Sequence, residues 1–275
     1  MTDSLTEEEL HFFTHMLEET DAAYPPPPDH ILSRERTLCV DIGANVGAFS
    51  FVAAQHYKNV VALEPVEKNY QLLEKVRNLE KLENLEILPL AVGAEDSTDR
   101  YIYVDDGFSG DCALYVESPE TAKKQRINMV SYNSLTSMLR EEYEVPYIDY
   151  LKIDCEGAEY EFLWDEDLSN VKTIIMEIHG VPTHLEGSGI TERGFIEHLF
   201  KYFTPAAGCG AHLFVGRNPR FMSVKELQQL KELPGYSRNL TEETIHNWVE
   251  YLYGRQKQWV GRLFRQVEPG DTDAS

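Results

Sequence analysis

Two groups of residues carry chemistry in this chain. The first is Asp41-Ile-Gly43-Ala-Asn45-Val-Gly47, with Glu64 following in the run VVALEP. The second is Asp154, Glu156 and Glu159 within KIDCEGAE, joined by Glu177 and His179 in MEIHG. In the first group an acid and two glycines end an apolar run, where glycine lets the backbone turn tightly and approach a ligand without a Cβ in the way. In the second, converging carboxylates raise one another's pKa toward the range of a general base. The same set suits a divalent metal, which spacing alone neither requires nor excludes. Asp154, His179 and Glu156 are the catalytic candidates. His179 is the candidate base, because Glu177 and His179 at period-two spacing share one side of a strand.

The elements that must position these residues follow from the apolar pattern. TLCVDIG (37–43), NVVALEP (59–65), LEILPLAVG (85–93), YIDYLKID (147–154) and VKTIIMEIHG (171–180) form strands. Helices are expected over Ala44–Tyr57, 67–82 and Gly157–Trp164. Continuous apolar strands alternating with helices require a parallel sheet covered on both faces. The alternation breaks at 94–133, where RYIYV, CALYVE and QRINMVSY suggest an antiparallel insertion around the turn DDGFSGD (105–111), a candidate lid. TERGFIEHLFKYF predicts another helix, and GCGAHLFVG (208–216) a late antiparallel strand. Helices are also expected near 223–233 and 240–265. At the N-terminus, LTEEELHFFTHMLEE predicts a helix with Leu10, Phe13, Met16 and Leu17 on one face and Thr6 and Glu9 at capping-box spacing. YPPPPD (24–29) stops it and forms a stiff linker.

Where a strand passes through a tight turn into a helix, a ligand site opens at the carboxyl edge of the sheet. A dinucleotide site would place glycines at 45 and 48, but Asn45 and Ala48 stand there. A phosphate-binding P-loop would need a lysine after Gly47, and none follows. An acid before the turn suits a cofactor with positive charge and no phosphate. S-adenosylmethionine has that character, and Glu64 at the end of the second strand is the expected acceptor for its ribose hydroxyls.

The net charge of −22 and the absence of a basic stripe argue against nucleic acid as a partner. A neutral or cationic small molecule, or a sugar, is easier to accommodate. No apolar run is long enough to span a bilayer, and the three glutamates at 7–9 do not suit a signal peptide. The four cysteines, Cys39, Cys112, Cys155 and Cys209, form no CxxC pair. Cys39 and Cys155 are expected as buried small hydrophobes, and the expected location is the cytoplasm.

Taken in order, VDIGANVGAFS, ALEPVEKNYQLLEKVRNL, LPLAVG and DYLKIDCEGAEYEFL resemble the FkbM family of S-adenosylmethionine-dependent methyltransferases over roughly residues 37–180. The resemblance implies an α/β, Rossmann-like class I methyltransferase with a doubly wound, mostly parallel seven-stranded sheet and helical N- and C-terminal appendages. It implies O-methylation of a hydroxyl on a sugar or secondary metabolite, with a small-molecule or glycan acceptor. Asp41, Gly43, Asn45, Gly47 and Glu64 match its cofactor positions, and Ala91 and Val92 would flank the adenine. The expected organisation is an N-terminal helix and linker (1–35), a methyltransferase domain (36–216, with the insertion 94–133) and a C-terminal helical appendage (217–275). The alternative is a non-catalytic S-adenosylmethionine-binding protein that docks a partner through its terminal helices. Oligomeric state is left open.

Overall fold

The structure is a computed structural model, which describes residues 4–23, 37–104, 123–205 and 213–223. The Pro-rich linker, the turn 105–111, CALYVE, Cys112, Cys209 and all but Ser223 of the two expected C-terminal helices lie outside these residues.

Five strands build the parallel core: β1 (Leu38–Ile42), β2 (Asn59–Leu63), β3 (Leu85–Leu88) and, later in the chain, β7 (Tyr150–Ile153) and β8 (Thr173–Glu177). With β9 (Thr204–Pro205) and β10 (Leu213–Arg217) they form a seven-stranded sheet in the order β3-β2-β1-β7-β8-β10-β9. Neighbours from β3 to β8 pair in parallel, and β10 runs antiparallel to β8, as expected for the late strand. The chain lays down β1, β2 and β3 in one direction and returns to place β7 on the other side of β1. This reversal opens a crevice at the carboxyl ends of β1 and β7.

The central strands are apolar throughout because both faces are covered. Cys39 on one face packs with Ala53 of α2 (Ala48–Ala54) and Leu73 of α3 (Glu67–Glu80). Val40 and Ile42 on the other face pack with residues of α4 (Tyr132–Tyr143), α5 (Glu159–Leu163) and α6 (Glu192–Phe200). Helix α1 (Glu7–Ala23) lies on α2 and α3. Its capping box forms, with the Thr6 N–H donating to Glu9 Oε2 at 2.8 Å and the Glu9 N–H to Thr6 Oγ1 at 3.2 Å. Phe13 is its buried anchor against Val46, Leu72 and Val76, with Phe12, Met16 and Leu17 beside it. Leu10, expected on that face, is instead 54% exposed.

Three expectations change. The helix after β1 begins at Ala48 rather than Ala44, because Asn45 (φ 52°) and Gly47 (φ 84°) are left-handed and belong to the turn. The strand expected over 85–93 is two strands. Pro89 has no N–H to donate, so the ladder breaks there, and β4 (Leu90–Gly93) joins a second sheet in the order β4-β6-β5. In that sheet β6 (Lys123–Ser131) is parallel to β4 and antiparallel to β5 (Ser97–Val104). Helix α4 was not expected. Its Ser131 cap accepts from the Ser134 N–H, and Tyr132, Leu135 and Leu139 supply its buried stripe. No helix among the described residues is long and apolar enough to cross a membrane.

Candidate active site

At the crevice, the turn after β1 needs left-handed backbone at Gly43 (φ 75°), Asn45 and Gly47. Glycine and asparagine tolerate this region best. At Gly43 a Cβ would lie 1.8 Å from the Asp154 carbonyl oxygen, and at Gly47 it would lie 2.0 Å from Leu73 Cδ1. Both glycines are therefore demanded by the fold's own packing.

A cavity of about 230 Å³ opens at this edge. From the β1 turn come Gly43 and Asn45, and from the end of β2 come Glu64 and Val66. Ala91 and Val92 of β4 line it, as do Asp154, Glu156 and Glu177. Met16 and Glu19 of α1 complete the wall. The residues expected to bind cofactor thus border one space, with two exceptions. Gly47 packs on Leu73 behind the turn. Asp41, expected among the cofactor positions, is fully buried beneath it. Its Oδ2 accepts the Ser50 hydroxyl at 2.6 Å, and its Oδ1 lies 3.2 Å from Lys152 Nζ.

Lys152 organises this floor. Its ammonium donates to the Gly43 carbonyl at 2.7 Å and lies 3.7 Å from Asp154 Oδ2. Burial lowers its pKa, but the charges of Asp41 and Asp154 more than reverse this and the net shift is upward. The sequence carried a signal for this role: a lysine inside the buried strand YLKI must find a charged partner.

Glu64 holds the two loops together. Its Oε2 accepts the Asn45 N–H at 2.7 Å and its Oε1 the Val66 N–H at 2.8 Å. Burial nevertheless raises its pKa to about 7, against those bonds and the charge of Lys152. Asn45 Oδ1 is buried with no hydrogen-bond partner.

On the opposite side, β7 and β8 deliver the second group. Strand β8 ends at Glu177, so His179 sits in the following loop. Its Nε2 lies 3.9 Å from Asp154 Oδ1 and 3.5 Å from Glu156 Oε2. Glu156 is itself left-handed (φ 55°). Glu159, one of the carboxylates of KIDCEGAE, is fully buried and fixes the histidine. Its Oε1 accepts the His179 N–H at 3.0 Å and lies 3.3 Å from Nδ1, while its Oε2 accepts the Gly157 N–H at 2.9 Å. Burial works against charge on His179, but the bond to Glu159 and the charges of Glu159, Glu156 and Asp154 lift its pKa to about 9. At neutral pH the imidazole therefore carries its proton, and a free-base role would first require its loss. His184 lies apart, paired with Glu161. Cys155 is half-buried and lines the cavity, while Cys39 is fully buried.

The profile of the methyltransferase FkbM domain matches residues 41–213, well over half of the chain. Among curated proteins, none matches in sequence. The methyltransferase FkbM from Methylobacillus flagellatus KT is 15% identical, with a TM-score of 0.30 over 52% of this chain and 32% of that one. The chain thus spans about a third of that protein's length. The O-methyltransferase from Bacillus cereus, solved with SAH, is 11% identical, with a TM-score of 0.40 over 77% of this chain and 90% of that one. TrmK from M. capricolum, solved with S-adenosylhomocysteine, is 12% identical, with a TM-score of 0.36 over 88% of each chain. On the profile match, which runs from Asp41 through both halves of the crevice to β10, this chain belongs to the FkbM methyltransferase-domain family of S-adenosylmethionine-dependent methyltransferases.

Proposed function

We propose that the chain O-methylates a hydroxyl of a sugar or secondary metabolite, with S-adenosylmethionine held in the cavity between the β1 turn and β4. The observation that carries this reading is Glu64, a buried carboxylate preset by two backbone N–H groups at the end of β2. Its remaining lone pairs suit a ribose diol. The residues fit the cofactor's other parts too. Asn45 Oδ1, buried and unpartnered, suits an ammonium donor, and Ala91 and Val92 offer apolar surface for the adenine. Asp41 acts through Lys152, which fixes the Gly43 carbonyl and thereby the turn.

The bound cofactor supplies an electrophilic methyl group and its own leaving group. The chain's task is to hold the acceptor oxygen in line and deal with its proton. Asp154 and Glu156 border the cavity where that hydroxyl would lie, and His179 supplies the positive charge that keeps them together. Calorimetry with S-adenosylhomocysteine tests the cofactor half: wild type binds, and Glu64→Ala binds at least tenfold more weakly. Turnover of labelled cofactor with a panel of sugars and polyketide alcohols tests the acceptor half. Equal affinity in both proteins overturns the placement of the cofactor, and transfer only to nitrogen or carbon acceptors overturns the O-methylation reading.

A further inference from the structure

Resting on that reading of which side of the cavity receives the acceptor, we propose that Asp154, Glu156 and His179 form a divalent-cation site. One ligand atom from each lies within 4.8 Å of the other two. Nε2 of His179 stands 3.9 Å from Asp154 Oδ1 and 3.5 Å from Glu156 Oε2. A triangle of that size accepts one ion at ~2.1–2.5 Å from each corner with little side-chain movement.

The histidine separates this set from a patch of surface acids. Its Nδ1 faces Glu159, a carboxylate with no solvent exposure that also accepts the His179 backbone N–H. The ring is thereby turned so that Nε2 faces the two carboxylates, and a bound cation takes the place of the Nε2 proton, which is released to solvent. A carboxylate behind the second nitrogen is the usual support of a metal-bound histidine, where it fixes tautomer and orientation. Asp154 divides its oxygens similarly: Oδ2 faces Lys152 Nζ at 3.7 Å, and Oδ1 is turned toward His179. The three side chains are 28, 31 and 20% exposed, so an ion can reach them. Because Asp154 and Glu156 also line the cavity, the coordination positions left open border it, where neighbouring hydroxyls of an acceptor can complete the sphere. One imidazole and two carboxylates suit a first-row divalent cation such as Mn2+ better than Ca2+ or Mg2+, which prefer oxygen alone.

The test is a titration of the chelator-treated full chain with MnCl2, following free Mn2+ by electron paramagnetic resonance. One tight site per chain is expected. His179→Gln and Glu156→Gln each weaken it at least tenfold, and Glu159→Gln weakens it about 10–100-fold through the ring's support. A chain with net charge −22 gathers cations loosely, so Glu141→Gln/Glu142→Gln on the exposed side of α4 is the control and leaves the tight site unchanged. If His179→Gln does not fold, as judged by its thermal melt, Asp154→Asn and Glu156→Gln carry the test. Mn2+ held no more tightly by wild type than by these variants overturns the proposal. S-adenosylhomocysteine binding, measured separately without metal, shows whether the cofactor reading stands when the metal site fails.

Discussion

Replacing Lys152 by methionine probes the arrangement on which the crevice depends. The ammonium is 4% exposed and its partner Asp41 not at all. Methionine keeps the stem's volume but leaves Asp41 with only the Ser50 hydroxyl, and it leaves the Gly43 carbonyl without the donor at 2.7 Å. Removing one member of a buried ion pair costs about 3–5 kcal/mol, because the remaining charge stays desolvated. The lost bond to the carbonyl, about 1–3 kcal/mol alone, overlaps with this rather than adding in full. Against a total stability of about 5–15 kcal/mol and an m-value of roughly 2–3 kcal/mol/M in urea, the urea midpoint should fall by about 1–2 M. Asp41→Asn in the same background removes the stranded charge. The double variant should therefore be more stable than the sum of the single effects by at least about 1.5 kcal/mol. A single cost below about 1 kcal/mol, or strictly additive effects, would refute the reasoning.

Two further outcomes follow from the same geometry. Glu64 has its pKa raised from 4.5 to about 7 in the folded chain. Between these values the folded state keeps a proton that the unfolded state releases, so stability declines as pH rises from about 4.5 to about 7 and levels off above. The 2.5-unit gap sets this at about 3 kcal/mol. Thermal melts across that window should show the slope in wild type and its loss in Glu64→Gln, and parallel slopes would contradict it. Gly43→Ala drives a methyl group to 1.8 Å from a backbone oxygen at φ 75° and should cost at least about 2 kcal/mol. Gly180→Ala, which meets nothing within 4 Å, should stay within about 0.5 kcal/mol of wild type in the same unfolding assay.

Much of the architecture was legible in the chain because burial on two faces leaves a plain mark. LCVDI, NVVAL and TIIME are near-continuous apolar runs, and such runs settle only between covering layers. The tight turn was legible at Gly43 and Gly47, but the helix was expected from Ala44, so the left-handed backbone at Asn45 was not. The FkbM-like segments also marked Glu64 and the KIDCEGAE turn. Legibility ended where one residue's role depends on distant ones. Pro89 could be seen, but not that it hands half of a strand to a second sheet. Helix α4 went unseen because QRINMVSY merges into its first residue, so the period changes without a break in apolarity.

Sequence by itself determined the alternation of strand and helix, the glycines of the first turn and the identity of the acids near the crevice, because these are local consequences of side-chain volume, periodicity and backbone freedom. Only the tertiary structure decided which way those acids face. It buried Asp41 against Lys152 and Ser50, left Glu64 at the cavity wall, and set Glu159 behind His179 so that the imidazole meets Asp154 and Glu156. Carboxylates far apart in the chain acquire distinct roles only when folding fixes their distances to specific cations and their exposure to water, since those two quantities govern charge and reactivity.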